Sequence, residues 1–77
     1  MYSLQQASRE IFNMPYPRLR RKLIELEWLV RFKEIEIITN HDYLTYKHGR
    51  ICFTIEGIDK FSEELFKDYM DKYKGGN

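Results

Sequence analysis

Two prolines, Pro15 and Pro17, stand one residue apart and leave the backbone around them few options. Proline fixes φ at about −65° and has no N–H, so neither fits a helix interior, but both suit a helix's first turn. Asn13 ahead of them tolerates the left-handed conformation that a sharp turn needs. The stretch Asn13-Met14-Pro15-Tyr16-Pro17-Arg18-Leu19-Arg20-Arg21-Lys22-Leu23 therefore predicts a tight turn feeding a helix that starts near Pro15 to Pro17. Four cations, Arg18, Arg20, Arg21 and Lys22, fall in the first two turns of that helix.

The flanking segments supply a frame. Ser3 is placed to cap a helix, with Gln6 three residues later. Leu4, Ala7, Ser8, Ile11 and Phe12 share one face of that helix, which is expected to end near Asn13. Ala7 is small enough to let a second helix approach closely. The second helix is expected to run to about Leu26 or Trp28, with Leu19, Leu23, Leu26 and Ile24 as its buried stripe. Arg18, Arg21, Lys22 and Glu25 lie outside the stripe. Arg20 lies between, able to bury its stem and keep its head wet.

Leu29 to Phe32 predicts a short strand, and Ile35, Ile37 and Ile38 another strand or its continuation. Thr39-Asn40-His41-Asp42 is turn material. Tyr43 to Tyr46 and Ile51 to Thr54 flank Lys47-His48-Gly49-Arg50, a β-hairpin pattern in which Gly49 supplies a positive φ. Thr54 is placed to cap a last helix. Its apolar face is broad, holding Ile58, Phe61, Leu65, Phe66, Tyr69, Met70 and Tyr73 among others. Phe61 and Leu65 are expected inside the domain; Phe66, Met70 and Tyr73 are expected at a dimer interface. Trp28 is expected in the core at the helix-to-strand corner, with an interface anchor as the alternative.

The expected fold class is α+β: a winged helix-turn-helix of two N-terminal helices, a small antiparallel sheet with a hairpin wing, and a C-terminal helix. One domain is expected over residues 1–74, with a disordered tail at 75–77. A chain of 77 residues buries a modest fraction of its surface. Its 43% hydrophobic and 16% aromatic content is nevertheless too rich for a disordered segment. The net charge of +1 conceals an asymmetry: the balance is +4 over residues 1–33, −1 over 34–54 and −2 over 55–77. Such an asymmetry fits a nucleic-acid face at one end and a solvated or partner-binding face at the other.

The first half, with Ser3-Leu4, Ala7 and Asn13 to Arg20, resembles the helix-turn-helix of MerR-like and excisionase-like proteins. The longer resemblance is to the small winged-helix module at the C-terminus of phage antirepressors, the KilAC-type domain. The carriers are the helix with an internal Ala7, the turn, the Leu-rich stretch Leu19 to Leu29, and the helix start Thr54-Ile55-Glu56-Gly57 followed by Phe61 and Leu65. It covers roughly Ser3 to Leu65. It implies a phage or mobile-element origin and a role in regulating transcription or the lysis–lysogeny choice.

Arginine can read guanine bidentately, and Arg and Lys both hold phosphate. Arg18, Arg20, Arg21 and Lys22 are therefore the expected contacts to double-stranded DNA, with Tyr16 at the helix start. Lys47, His48 and Arg50 at the hairpin tip are expected on the DNA backbone. The plain alternative is a solvated face for the helix cations, a packing role for Tyr16 and an ordinary polar turn for the tip residues. An enzyme is not expected, since no nucleophile–base pair or phosphate-binding glycine loop stands out. His41 and His48 with a single cysteine make no recognisable metal set, and no cofactor is expected. Cys52 is expected as a buried thiol in a cytoplasmic protein, with no membrane contact. The rival is a small phage protein that inhibits a repressor, polymerase or defence nuclease by direct binding. A third reading is a structural component of a virion or replication complex.

Overall fold

The computed structural model describes residues 1–75. It is an α+β chain: β1 (Tyr2–Ser3), α1 (Leu4–Glu10), α2 (Tyr16–Glu25), β2 (Leu29–Phe32), β3 (Ile35–Ile38), β4 (Leu44–Lys47), β5 (Arg50–Phe53) and α3 (Ile55–Gly75). Two antiparallel sheets form. One has three strands in the order β1-β5-β4; the other is a two-stranded ribbon, β2-β3. The ribbon differs from the expected single small sheet. The last helix reaches Gly75, and the rest of the expected tail lies outside the described residues.

Local chemistry sets the boundaries. Ser3 Oγ accepts the N–H of Gln6 at 3.1 Å and opens α1. The helix closes with the N–H groups of Ile11 and Phe12 both donating to the Ala7 carbonyl, at 3.0 and 2.9 Å. Asn13 then turns the chain at φ 47°. Pro15 is the extended N-cap of α2, and Pro17 lies in the first turn. The other end of α2 is a Schellman motif. The N–H of Trp28 donates to the Leu23 carbonyl and that of Glu27 to Ile24, each at 3.0 Å, with Glu27 at φ 61°.

Two hairpins follow. Phe32 pairs with Ile35 across Lys33-Glu34, and Lys33 takes φ 59°. Lys47 pairs with Arg50 across His48-Gly49, where φ is 52° and 74°. Positive φ at both central residues matches the twist of a two-residue hairpin. Thr54 opens α3: its hydroxyl accepts the Gly57 N–H at 2.9 Å and donates to the Asp42 carbonyl at 2.6 Å.

One core joins these elements. Leu4, Ala7, Leu19, Leu23, Trp28, Leu29, Ile38, Leu44, Phe53 and Phe61 are buried together. Phe12 stands edge-on to Phe61 at 4.8 Å and to Phe53 at 5.7 Å, and Trp28 packs on Tyr43 at 4.5 Å. Trp28 is thus a core residue. Leu65 packs against this core and is partly buried. Two expected core positions lie outside it: Ile11 and Ile24 are 37% and 38% exposed. Ile11 is the C-cap of α1, directly after its last residue, and Ile24 stands well round α2 from the Leu19–Leu23 stripe.

Candidate nucleic-acid interface

Helix α2 carries the cations because its buried stripe is narrow. At about 100° per residue, Leu19 and Leu23 face the core and Arg21 faces directly away. The remaining cations fall on opposite flanks. Arg20 turns toward the ribbon, where it forms an ion pair with Glu36. Its guanidinium also lies 5.6 Å from the centre of the Tyr16 ring, which stacks it in place. Its Nε is buried without a hydrogen-bond partner among the described residues. Lys22 turns the other way. Its Nζ lies 2.6 Å from Asp68 of α3.

Two of the four expected helix cations are therefore engaged inside the molecule. Arg18 and Arg21 are exposed, and no carboxylate comes within ion-pair distance of either among the described residues. They share one hollow, lined also by Met14, Lys22, Glu25, Leu65 and Asp68, and diverge beyond it. Arg18 lines the hollow between α2 and α3 with Phe12, Met14, Leu65 and Tyr69. Arg21 also borders a hollow on the ribbon side, with Pro17, Arg20, Ile24 and Arg31.

Arg31 was not singled out from the sequence. Cross-strand pairing puts it opposite Glu36, on the same ribbon face as the buried pair Leu29 and Ile38. That face packs on α2. The Glu36 carboxylate goes to Arg20, so Arg31 is left without an ion pair among the described residues. The available signal was the strand period of two: with Leu29 buried, Arg31 shares its face.

The β4–β5 tip approaches the start of α2. Tyr16, Glu36, Gly49 and Arg50 line one cleft with Ser3 and Gln5. Tyr16 is half-buried and packs against the core. Lys47, His48 and Arg50 are exposed, and Lys47 and Arg50 are directly opposite each other. Like charges in that relationship repel. The structure thus brings Tyr16, Arg20, Arg31 and Arg50 onto the side of α2 that carries the ribbon and the hairpin tip, with Arg21 on the outer face between that side and α3. It sends Arg18 and Lys22 toward α3.

Cys52 is buried and unpaired. No cluster of three or more metal-ligating side chains occurs among the described residues. No described helix is long and apolar enough to cross a membrane. No family model, curated protein or solved structure matches this chain.

Proposed function

We propose that this chain is a winged helix-turn-helix DNA-binding regulator of the phage or prophage type, as its resemblance to the winged-helix module of phage antirepressors suggests. In this reading α2 enters the major groove and the β4–β5 tip rests on the backbone. The carrying observation is the hollow beside α2 that Arg20, Arg21 and Arg31 line from two elements, where only Arg20 is paired with a carboxylate, that of Glu36. A polyanion supplies the charge this hollow lacks. The Lys47–Arg50 pair adds support, because a phosphate between two opposed cations relieves their repulsion.

A homodimer is part of the proposal. One small module makes few phosphate contacts, and two joined modules gain effective concentration on a symmetric site. The surface for it is the far half of α3, where Phe66, Tyr69 and Tyr73 are 63%, 64% and 70% exposed and Met70 is half-buried. Titration of mixed-sequence duplex DNA at several salt concentrations tests the proposal. Salt-sensitive binding at micromolar protein is expected; its absence at low salt refutes the DNA reading.

The second reading is a protein-binding inhibitor. The observation that favours it is the amount of exposed apolar surface on α3 and on the ribbon. An inhibitor needs no salt-sensitive affinity for duplex DNA, so the same titration separates the two.

A further inference from the structure

The β2–β3 ribbon has one face left exposed among the described residues. Leu29, Ile38, Arg31 and Glu36 point toward α2. The alternate pairs, Val30 with Ile37 and Phe32 with Ile35, share the opposite face. Their exposure rises toward the tip, from 43% and 48% at Val30 and Ile37 to 62% and 64% at Phe32 and Ile35. The ribbon is firmly mounted. Leu29 and Ile38 root it in the core, Arg20 pairs with Glu36, and the Tyr46 hydroxyl donates to the Glu36 carbonyl at 3.2 Å.

We propose that this ribbon is an apolar wedge that enters the minor groove of the bound duplex, with Phe32 and Ile35 inserted at a base step and the DNA kinked there. The proposal rests on the DNA reading above. Apolar side chains presented beside cations suit groove insertion, because the side chain unstacks the step while the cation holds the adjacent phosphate. The required charges are in place. Lys33 Nζ lies 5.7 Å from the centre of the Phe32 ring, beside the inserted pair, while Arg31 on the other face of the ribbon is placed for the phosphates that flank α2. Neither has an ion-pair partner among the described residues. The anion at the tip is Glu34.

Size argues in the same direction. Four half-exposed side chains offer on the order of 300–400 Å², well below the roughly 800 Å² per partner of a stable protein–protein interface. A wedge needs only the tip. Inserting a β-branched or aromatic pair also suits a ribbon, whose side chains stand perpendicular to its plane.

The experiment is ligase-driven circularisation of mixed-sequence DNA of about 100 bp, shorter than the persistence length and resistant to closure without a kink. Occupancy is measured in parallel by gel shift. Wild type is expected to raise the yield of circles about tenfold at saturating occupancy. The Phe32→Ala/Ile35→Ala variant is expected to bind but leave circles at the protein-free level. Glu34→Gln is expected to tighten binding a few-fold, because it removes the anion nearest the phosphates. Both apolar sites are well exposed, and circular dichroism verifies the fold. Ile35→Thr, which keeps strand preference, carries the same test if the double variant unfolds. Wild type that binds without forming circles overturns the wedge and leaves the DNA reading standing. So does a double variant that matches wild type at equal occupancy. Wild type that fails to bind duplex at low salt overturns both.

Discussion

Gly57, in the first turn of α3, approaches the backbone of Tyr43 so closely that a Cβ on it would overlap the Tyr43 carbonyl oxygen and lie 2.8 Å from the carbonyl carbon. That carbonyl cannot retreat freely, since it accepts the Thr54 N–H at 3.0 Å. The start of α3 is thus pressed onto the beginning of β4, and only glycine permits it. Gly57→Ala is expected to cost about 1–3 kcal/mol through forced overpacking. Urea denaturation checks this through the midpoint. The same substitution at Gly49 meets no atom within 4 Å and tests only backbone conformation.

The end of α2 offers a gain. Glu27 occupies the left-handed position of a Schellman motif where glycine is the usual residue. Glu27→Gly is expected to stabilise the domain by roughly 0.5–1 kcal/mol, since that conformation costs a side-chain-bearing residue about 1 kcal/mol or more. The melting temperature is expected to rise by about 4–8 °C per kcal/mol gained. The Glu27 carbonyl, which accepts the Thr39 hydroxyl at 2.5 Å, is retained in the variant.

Those two positions show what the sequence could and could not reveal. Where turn chemistry was conventional, elements were legible: Ser3 and Thr54 as caps, the Asn13 turn, the Pro-opened α2 and the Gly49 hairpin all stand where residue type places them. The β2–β3 ribbon was harder to delimit because its turn is Lys33-Glu34, with positive φ at a lysine. No glycine or asparagine marks the reversal, so Leu29 to Ile38 also fits a strand and its continuation. The two-residue strand β1 gave no periodicity at all. At the candidate site the helix cations were visible, but their partners were not. Glu36 and Asp68 reach α2 from 16 and 46 positions along the chain, distances over which sequence pattern carries no contact information.

Those partners decide the relative weight of the cations. Arg21→Ala and Arg31→Ala are each expected to lower the salt slope of duplex binding by about 0.9, the loss of one phosphate contact. Lys22→Ala is expected to leave the slope nearly unchanged, because its charge is already shared with Asp68. Fluorescence anisotropy at four salt concentrations makes the comparison. Equal slopes for all three variants would show that binding does not discriminate the flanks of α2.

Gly49 and His48 test the hairpin tip. Both central residues have positive φ, but only Gly49 lacks a Cβ. Gly49→Val is expected to cost about 1–3 kcal/mol, the strain of holding a β-branched residue in that region. His48→Asn is expected to be neutral or to stabilise slightly, since asparagine tolerates left-handed backbone. Chemical denaturation gives both numbers. An unchanged midpoint for Gly49→Val would mean that the turn relaxes to another type.

The last expectation concerns assembly through α3. Phe61 is fully buried and Leu65 packs against the core, whereas Phe66, Tyr69 and Tyr73 are exposed along the second half of the helix. Tyr69 and Tyr73 stack on each other with ring centres 6.3 Å apart, a flat aromatic surface one helical turn long. Replacing Phe66 and Met70 by Glu puts two charges into any interface formed there, and desolvating unpaired charge is expensive. In the isolated domain the cost is small at the exposed Phe66 and larger at the half-buried Met70. The double variant is therefore expected to remain folded by circular dichroism, to sediment as a monomer and to bind duplex DNA more weakly than wild type. Phe66→Glu alone separates the contributions, because its side chain is 63% exposed and its effect on folding is minimal. If wild type itself stays monomeric at high concentration in equilibrium sedimentation, α3 does not join two copies. Its aromatic surface then belongs to a different partner, as the inhibitor reading requires.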